Sequence, residues 1–150
     1  MSTKPLVGEV AVLAETTLEG VALRTIRSTV RRVLERERVA GAGVTVLVTD
    51  NQRIRKLHRK FLKKNSATDV LAFEAGETLM PDAARYLGDV VVSAQMAGAY
   101  CRKNGGDVRE EILRYVVHGL LHLLGYDDLT ADQKVKMIRR QEQLLKGSAK

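Results

Sequence analysis

The sequence predicts an α+β fold in which helices pack on a mixed four-stranded sheet. Three observations predict it: short β-branched runs that suit strands, apolar residues at helical spacing between them, and one almost wholly apolar helix in the second half. The chain has 150 residues, 45% of them hydrophobic, enough to bury a core without disulfides. We therefore expect residues 1–150 to form a single domain.

The first half of the chain has the pattern of a β-α-β unit followed by a second helix. Strands are predicted at residues 7–13 and 44–48, and the helix between them has one apolar face, formed by Leu23, Ile26, Val30, Val33 and Leu34. Asp50 is placed to cap the next helix, and Asn65 and Ser66 to end it. The apolar stripe of that second helix consists of Ile54, Leu57, Phe61 and Leu62.

Two more strands are predicted, at residues 70–73 and 89–92, and they are joined by residues 74–87. This connection contains Gly76 and Pro81 and has a length typical of a loop between antiparallel neighbours. After Ser93 the pattern is helical to the end of the chain.

The most apolar helix begins at Asp107, with Glu110 at its third position, and ends at Gly125. A helix that is apolar on nearly every side must be buried against the sheet and other helices. Thr130 and Gln133 then form a capping box for a last amphipathic helix, which extends to about residue 145.

Composition excludes several classes of protein. A single cysteine, Cys101, allows no internal disulfide and no CxxC metal or redox motif, and we expect it to be a small buried residue. No run of about 18 apolar residues and no signal-like segment occurs, so we expect a cytoplasmic protein without a membrane partner. The net charge of +7 favours a polyanionic partner.

The second helix carries a run of basic residues with no acid among them. They are Arg53, Arg55, Lys56, Arg59, Lys60, Lys63 and Lys64. A solvated helix face normally mixes charges of both signs, so contact with RNA phosphates is favoured over an ordinary soluble face. Four arginines of the first helix extend this basic character, although Glu35 and Glu37 weaken the pattern there: Arg24, Arg27, Arg31 and Arg32.

Two histidines in the apolar helix lie four residues apart and therefore on one helix face. His118 and His122 are followed by the break at Gly125, and the turn after it can bring Asp128 back over both imidazoles. Such a set gives a metal three protein ligands and leaves a position for water, which would make these residues catalytic through a metal-bound water. The metal site would then lie on a buried central helix and the turn after it.

Other interpretations of this histidine pair remain open. The spacing matches the metzincin protease motif, but Gly119 stands where that motif has its glutamate base. Two histidines and one carboxylate can also form the facial triad of an iron oxygenase, for which no co-substrate site is apparent. Two core histidines bonded to the backbone are the non-functional alternative.

Three segments, taken in order, resemble one known family. They are residues 68–73 (TDVLAF), residues 87–93 (LGDVVVS) and residues 118–128 (HGLLHLLGYDD). They are similar to the TDVLSF, LGDIVIS and HGxLHLxGYDH motifs of the YbeY-type metal-dependent endoribonucleases, which mature ribosomal RNA in bacteria. The resemblance covers most of residues 44–146, and the family fold, a mixed four-stranded sheet with helices on it, agrees with the pattern analysis.

The chain departs from this family at four positions. Asp128 replaces the third histidine, Leu62 stands at the position of an arginine, His58 at that of an asparagine, and Ala72 at that of a serine. A carboxylate remains a good zinc ligand, although a harder oxygen donor shifts preference towards manganese or iron. Loss of the arginine removes a cation that would hold a scissile phosphate, a task left to Arg59, Lys63 or Lys64.

The resemblance implies a zinc-dependent endoribonuclease, a hydrolase of phosphodiester bonds, with one Zn²⁺ per chain on His118, His122 and Asp128. Its implied role is maturation of ribosomal RNA, including the 3′ end of 16S RNA, and ribosome quality control, acting on single-stranded RNA of the small subunit. Ribosomal proteins or GTPases are implied as further partners. The alternative is a non-catalytic ribosome-assembly factor with a structural metal, which the leucine at position 62 favours.

Overall fold

The computed structural model describes residues 9–17, 21–62, 68–75 and 85–146, apart from the side chain of Leu62. Strands and helices follow one another in the order β1 (Val10–Ala14), α1 (Leu23–Arg36), β2 (Gly43–Thr49), α2 (Asn51–Leu62), β3 (Val70–Glu74), β4 (Tyr86–Ser93), α3 (Ala94–Asn104), α4 (Val108–Leu123) and α5 (Ala131–Lys146).

The four strands form one mixed sheet in the order β1-β2-β4-β3. β1 is parallel to β2, β2 is parallel to β4, and β3 is antiparallel to β4 at the edge of the sheet. The mixed four-stranded sheet and the antiparallel pairing of the last two strands predicted from the sequence are thus confirmed.

Successive residues of β4 point to opposite faces of the sheet, and each face has its own core. Val90 and Val92 belong to the large core that includes residues of α1, α4 and α5. Val91 packs with Leu71 of β3 and Ile54 of α2 in a second, smaller core. α2 therefore covers the face of the sheet opposite to α1 and α4.

The predicted N-terminal caps form at the starts of both α4 and α5. Thr130 Oγ1 accepts a hydrogen bond from Gln133 N at 3.1 Å, and Gln133 Oε1 accepts one from Thr130 N at 3.1 Å, which completes a reciprocal capping box for α5. At the start of α4 the Asp107 carboxylate accepts from Arg109 N at 2.9 Å, while Glu110 pairs with Arg114. These bonds fix where α4 and α5 begin.

Several predicted boundaries need correction. β3 continues to Glu74 and β4 begins at Tyr86, so the predicted loop 74–87 is shorter at both ends, because edge pairing with β4 extends beyond the β-branched runs. Phe61, predicted on the buried stripe of α2, is 56% exposed. The expected start of the first strand at residue 7 and the expected helix end at Asn65 and Ser66 lie outside the described residues.

Candidate metal centre

α4 presents both histidines from a helix that lies unusually close to the sheet. A Cβ atom placed on Gly119 would lie 2.5 Å from Val90 Cγ1 and 3.0 Å from Val70 Cγ2. Only glycine therefore allows α4 to lie so near β3 and β4 at this point. His118, the preceding residue, and His122, one turn later, are half-buried at the rim of the core.

The turn after α4 closes in a Schellman arrangement, which reverses the chain sharply. Gly125 has φ +99°, its N–H donates to His122 O at 3.1 Å, and Tyr126 N–H donates to Leu121 O at 3.0 Å. The left-handed conformation at Gly125 is what returns the following residues towards the helix end. Asp128 is brought over the imidazoles in this way.

His118, His122 and Asp128 converge, and one ligand atom from each lies within 4.8 Å of the others. The two Nε2 atoms are 3.2 Å apart, and Asp128 Oδ2 lies 3.9 Å from His118 Nε2 and 3.6 Å from His122 Nε2. The group is reached by solvent, with the Asp128 side chain 38% exposed. Two ring nitrogens and a carboxylate oxygen form a donor set that suits a transition metal.

The rear nitrogens of both rings show which atoms face the cluster. His122 Nδ1 lies 3.2 Å from Tyr126 O, a carbonyl that can only accept, and His118 Nδ1 lies 2.7 Å from Gln141 Oε1. Both Nδ1 atoms therefore carry hydrogen, so in the neutral rings each Nε2 has a lone pair, and the two Nε2 atoms converge with their ring planes at 80°. Two lone pairs 3.2 Å apart beside a carboxylate require a cation or a proton between them, which is the arrangement a metal site needs.

Gln141 is held in turn by a network of charged residues between α4 and α5. Its Nε2 donates to Glu142 Oε2 at 3.0 Å, and Arg114 Nε donates to the same carboxylate at 2.9 Å. Arg114 also donates to Glu110 at 3.0 Å and to Glu111. The guanidinium lowers the pKa of Glu142 below its usual value, so the carboxylate stays charged and keeps the amide oriented.

Tyr126 connects the same turn to the end of α1. Its hydroxyl donates to Glu37 Oε1 at 2.7 Å, and Arg140 of α5 donates to Glu37 Oε2 at 3.3 Å. Burial, followed by the hydrogen bond to Glu37, raises the pKa of Tyr126, which keeps the hydroxyl a donor near neutral pH. Three separate elements thus fix the turn that carries Asp128.

The basic run belongs to α2, which packs on the face of the sheet opposite to the core that contains α4. Within it Arg53 forms an ion pair with Glu15 at 3.6 Å. His58, also in α2, is only 9% exposed and does not belong to the group of possible metal ligands. Of the remaining candidates, Arg55, Lys56, Arg59 and Lys60 are described, whereas Lys63, Lys64 and the Leu62 side chain lie outside the described residues.

Sequence reasoning missed Gln141 and the Arg114–Glu142 pair. Gln141 is 6% exposed and lies on the same buried face of α5 as Met137 and Leu144. A glutamine inside an apolar stripe is the signal that could have identified it, since buried amides require partners. The sequence does not show that the partner is a histidine 23 residues earlier.

Comparison with known proteins places these features in a family. The family model described as endoribonuclease YbeY matches residues 12–149. The chain belongs to the endoribonuclease YbeY family. It is 32% identical over 138 residues to the endoribonuclease YbeY of Sulfurihydrogenibium sp., covering 92% of this chain and 90% of that protein. It is 34% identical over 130 residues to the Bacillus cereus (strain G9842) protein of the same name, covering 81% of this chain and 83% of that protein.

Structural similarity agrees with this YbeY assignment at the level of the fold. A solution structure of a Thermotoga maritima protein matches with a TM-score of 0.65 and 23% identity, covering 93% of this chain and 89% of that one. The resemblance inferred from three short motifs is confirmed by the family match. Among the described residues no helix of this YbeY protein has the length and apolar character needed to cross a membrane.

Proposed function

We propose that this protein is a metal-dependent endoribonuclease that acts in ribosomal RNA maturation, including the 3′ end of 16S RNA, and in ribosome quality control. Membership of the endoribonuclease YbeY family supports RNA hydrolysis. The observation that carries the proposal is the convergence of His118, His122 and Asp128 at the solvent-reached end of α4.

The proposed ligands are the Nε2 atoms of the two histidines and a carboxylate oxygen of Asp128. A divalent metal held there would supply Lewis acidity towards a phosphate oxygen and make coordinated water more acidic. Gln141 and the Tyr126 carbonyl hold the rear of each imidazole, so that the donor atoms keep their direction when RNA arrives. Asp128 adds negative charge, which offsets the charge of a bound dication.

We propose Zn²⁺ as the resident metal, one ion per chain, with Mn²⁺ as the competitor favoured by the carboxylate. The nitrogen-rich donor set suits zinc, and the oxygen donor is the harder component. Elemental analysis of protein purified without a histidine tag tests this directly. About one equivalent of zinc supports the assignment, whereas manganese or iron alone would replace zinc in it.

Variants of the three ligands test the site and the activity together. We expect His118→Ala to lose both bound metal and cleavage of a structured ribosomal RNA fragment, because one of three protein donors is gone. Asp128→Ala should bind metal more weakly, and Asp128→His should retain it. His58→Ala, a histidine outside the cluster, is the matched control and should keep its metal. Equal metal content in Asp128→Ala and the wild type would remove Asp128 from the site.

The same assays address the non-catalytic alternative. RNA binding that survives His118→Ala, with no cleavage by the metal-loaded wild type, would make the protein an assembly factor with a structural metal. Cleavage that depends on His118 contradicts that alternative.

We also propose the small ribosomal subunit, with its associated proteins or a GTPase, as the cellular partner, and the cytoplasm as the location. The RNA-hydrolase family and the net charge of +7 support these assignments. Co-sedimentation of the protein with purified small subunits at low and high salt tests the first. We further propose one YbeY-like metallohydrolase domain over residues 1–150, which predicts a single cooperative unfolding transition.

A further inference from the structure

A second basic surface lies on α1, on the same side of the sheet as the metal-ligand cluster. We call it the α1 arginine row, and it consists of Arg24, Arg27 and Arg31. These residues are three and four positions apart, so their side chains leave the helix on one face, and Arg24 and Arg31 are about 10 Å apart along the axis. Beside them is a concavity of about 390 Å³, lined by the row together with Ser28, Arg32 and Glu35.

The ion-pair partners in the described part of the chain distinguish the arginines of the row from Arg114. Among the described residues neither Arg24, Arg27 nor Arg31 forms an ion pair, although Glu35 lines the same concavity. By contrast, Arg114 on α4 is bonded to three carboxylates. The guanidinium groups of the row therefore have donors available to another molecule, whereas that of Arg114 is engaged.

Two contacts connect α1, the helix that carries the row, to the elements around the cluster. Glu37, directly after α1, accepts from Tyr126 in the turn that carries Asp128. Arg32 donates to Leu144 O at 3.1 Å, one helical turn beyond Gln141 on α5. From Glu37 the row extends along α1, with Arg31 about 9 Å and Arg24 about 20 Å away along the axis. α2, in contrast, packs on the other face of the sheet.

The chemistry of the concavity favours a phosphodiester backbone over a protein. A stable protein interface has an apolar or aromatic centre, and the residues lining this concavity are arginines, one serine and one glutamate. Guanidinium groups match phosphate oxygens with paired donors. Among the described residues no aromatic side chain lines the concavity, so recognition would rest mainly on the backbone.

We propose that the α1 arginine row binds the phosphodiester backbone of the RNA strand next to the bond being cut. The inference rests on the proposed ribonuclease function. It assigns the substrate contact to α1, in addition to any contact with the basic run of α2.

The test is the salt dependence of RNA binding. Binding of a single-stranded ribosomal RNA oligonucleotide is measured with chelator present, so that nothing is cut, for the wild type and for Arg24→Ala/Arg27→Ala/Arg31→Ala. Each phosphate contact contributes about −0.7 to the slope of log K against log salt, so three lost contacts reduce the magnitude of the slope by about 2. Between 50 and 200 mM salt the advantage of the wild type should therefore shrink roughly 16-fold.

Two matched variants separate this effect from net charge and from misfolding. Arg102→Ala/Lys103→Ala/Arg109→Ala also removes three positive charges, from exposed positions near the start of α4. This end of α4 is far from the histidines, so the variant should keep the wild-type slope. Arg24→Lys/Arg27→Lys/Arg31→Lys retains the charge of the row and should also keep most of the wild-type salt dependence. Alanine is well tolerated in helices, so unfolding midpoints should agree among all variants.

The outcomes for the row and for the enzyme are distinguishable. If the alanine variant of the row keeps the wild-type slope while the wild type binds and cleaves RNA, the row is not the RNA contact and the ribonuclease proposal stands. If that variant instead loses binding to poly-glutamate with RNA binding unchanged, the surface belongs to an acidic protein partner. A wild type that neither binds nor cleaves RNA contradicts both proposals.

Discussion

Gln141 decides the direction of His118 without belonging to the ligand set. Its amide oxygen accepts from Nδ1 at 2.7 Å, and its own amide group is oriented by Glu142. Replacement by leucine leaves the buried Nδ1–H without an acceptor, and the ring is then free to rotate. We expect Gln141→Leu to weaken zinc binding about 10- to 100-fold with little change in secondary structure.

Zinc titration of the metal-free protein measures this effect, and the nitrogen chemical shifts of His118 report its tautomer. Gln141→Glu keeps an acceptor at the same place and should retain most of the affinity. Gln143→Leu, an exposed glutamine on the same helix, is the control and should bind zinc like the wild type. Unchanged affinity and an unchanged tautomer in Gln141→Leu would show that the ring is held by packing alone.

Gly119 illustrates how a residue between two proposed metal ligands can act through packing. A methyl group there would lie 2.5 Å from Val90 Cγ1, so Gly119→Ala must push α4 away from the sheet. Overpacking costs about 1–3 kcal/mol, more than the roughly 0.5–1 kcal/mol that alanine adds to helix stability. We expect a net loss in the free energy of unfolding and, because His118 is the preceding residue, weaker zinc binding.

Denaturant unfolding of Gly119→Ala measures the first quantity. Gly98→Ala in α3 is the matched substitution, since its new methyl group would meet only the flexible end of Arg102 at 3.3 Å. Gly98→Ala should leave the free energy of unfolding equal to that of the wild type or slightly higher. A Gly119→Ala protein as stable as the wild type would mean that the helix accommodates the methyl group without moving.

At the scale of elements, helix ends and strand pairing could be predicted from the sequence. The face of the sheet that each helix covers could not. The structure contains the predicted capping box of Thr130 and Gln133 and the predicted turn at Gly125. These residues act on their near neighbours in the sequence, so a local pattern is enough to predict them. Which face of the sheet a helix covers depends on the whole crossover, and no local pattern states that α2 packs on Val91 while α4 packs on Val90. The contact between Gln141 and His118 was equally hidden, because it joins two helices.

The α4–α5 pair is joined by a charge network whose contribution depends on pH. Arg114 lowers the pKa of Glu142 in the folded protein, whereas in the unfolded chain a glutamate titrates near 4.3. A lowered folded pKa stabilises the fold above the unfolded value, and this contribution is lost as pH falls through the folded pKa. We therefore expect Glu142→Gln to be less stable than the wild type at pH 7 and to approach it below about pH 4.

Urea unfolding at pH 7 and pH 3 gives this comparison. Glu110→Gln removes a more exposed partner of the same arginine and should have a smaller effect at both pH values, since surface pairs contribute little. A constant difference between Glu142→Gln and the wild type across the pH range would assign the effect to packing rather than to charge.

At the scale of the whole molecule, the cluster lies within residues 118–128, and hydrogen bonds tie this segment to the rest of the fold. His118 and His122 come from α4, Asp128 from the turn, and the turn is tied through Tyr126 to Glu37 at the end of α1. The unfolded chain does not hold these ligands together, so metal binding favours the folded state. Metal at a thousand times its dissociation constant should add about 4 kcal/mol to the free energy of unfolding.

For a chain of this length that gain corresponds to a rise of about 8–16 °C in the unfolding midpoint. We expect zinc to produce this shift in chelator-treated wild type and to produce none in His118→Ala/His122→Ala. His58→Ala should respond like the wild type, because His58 lies outside the cluster. An equal shift in the double variant would place the metal elsewhere in the chain, and no shift in the wild type would contradict a metal site at the cluster.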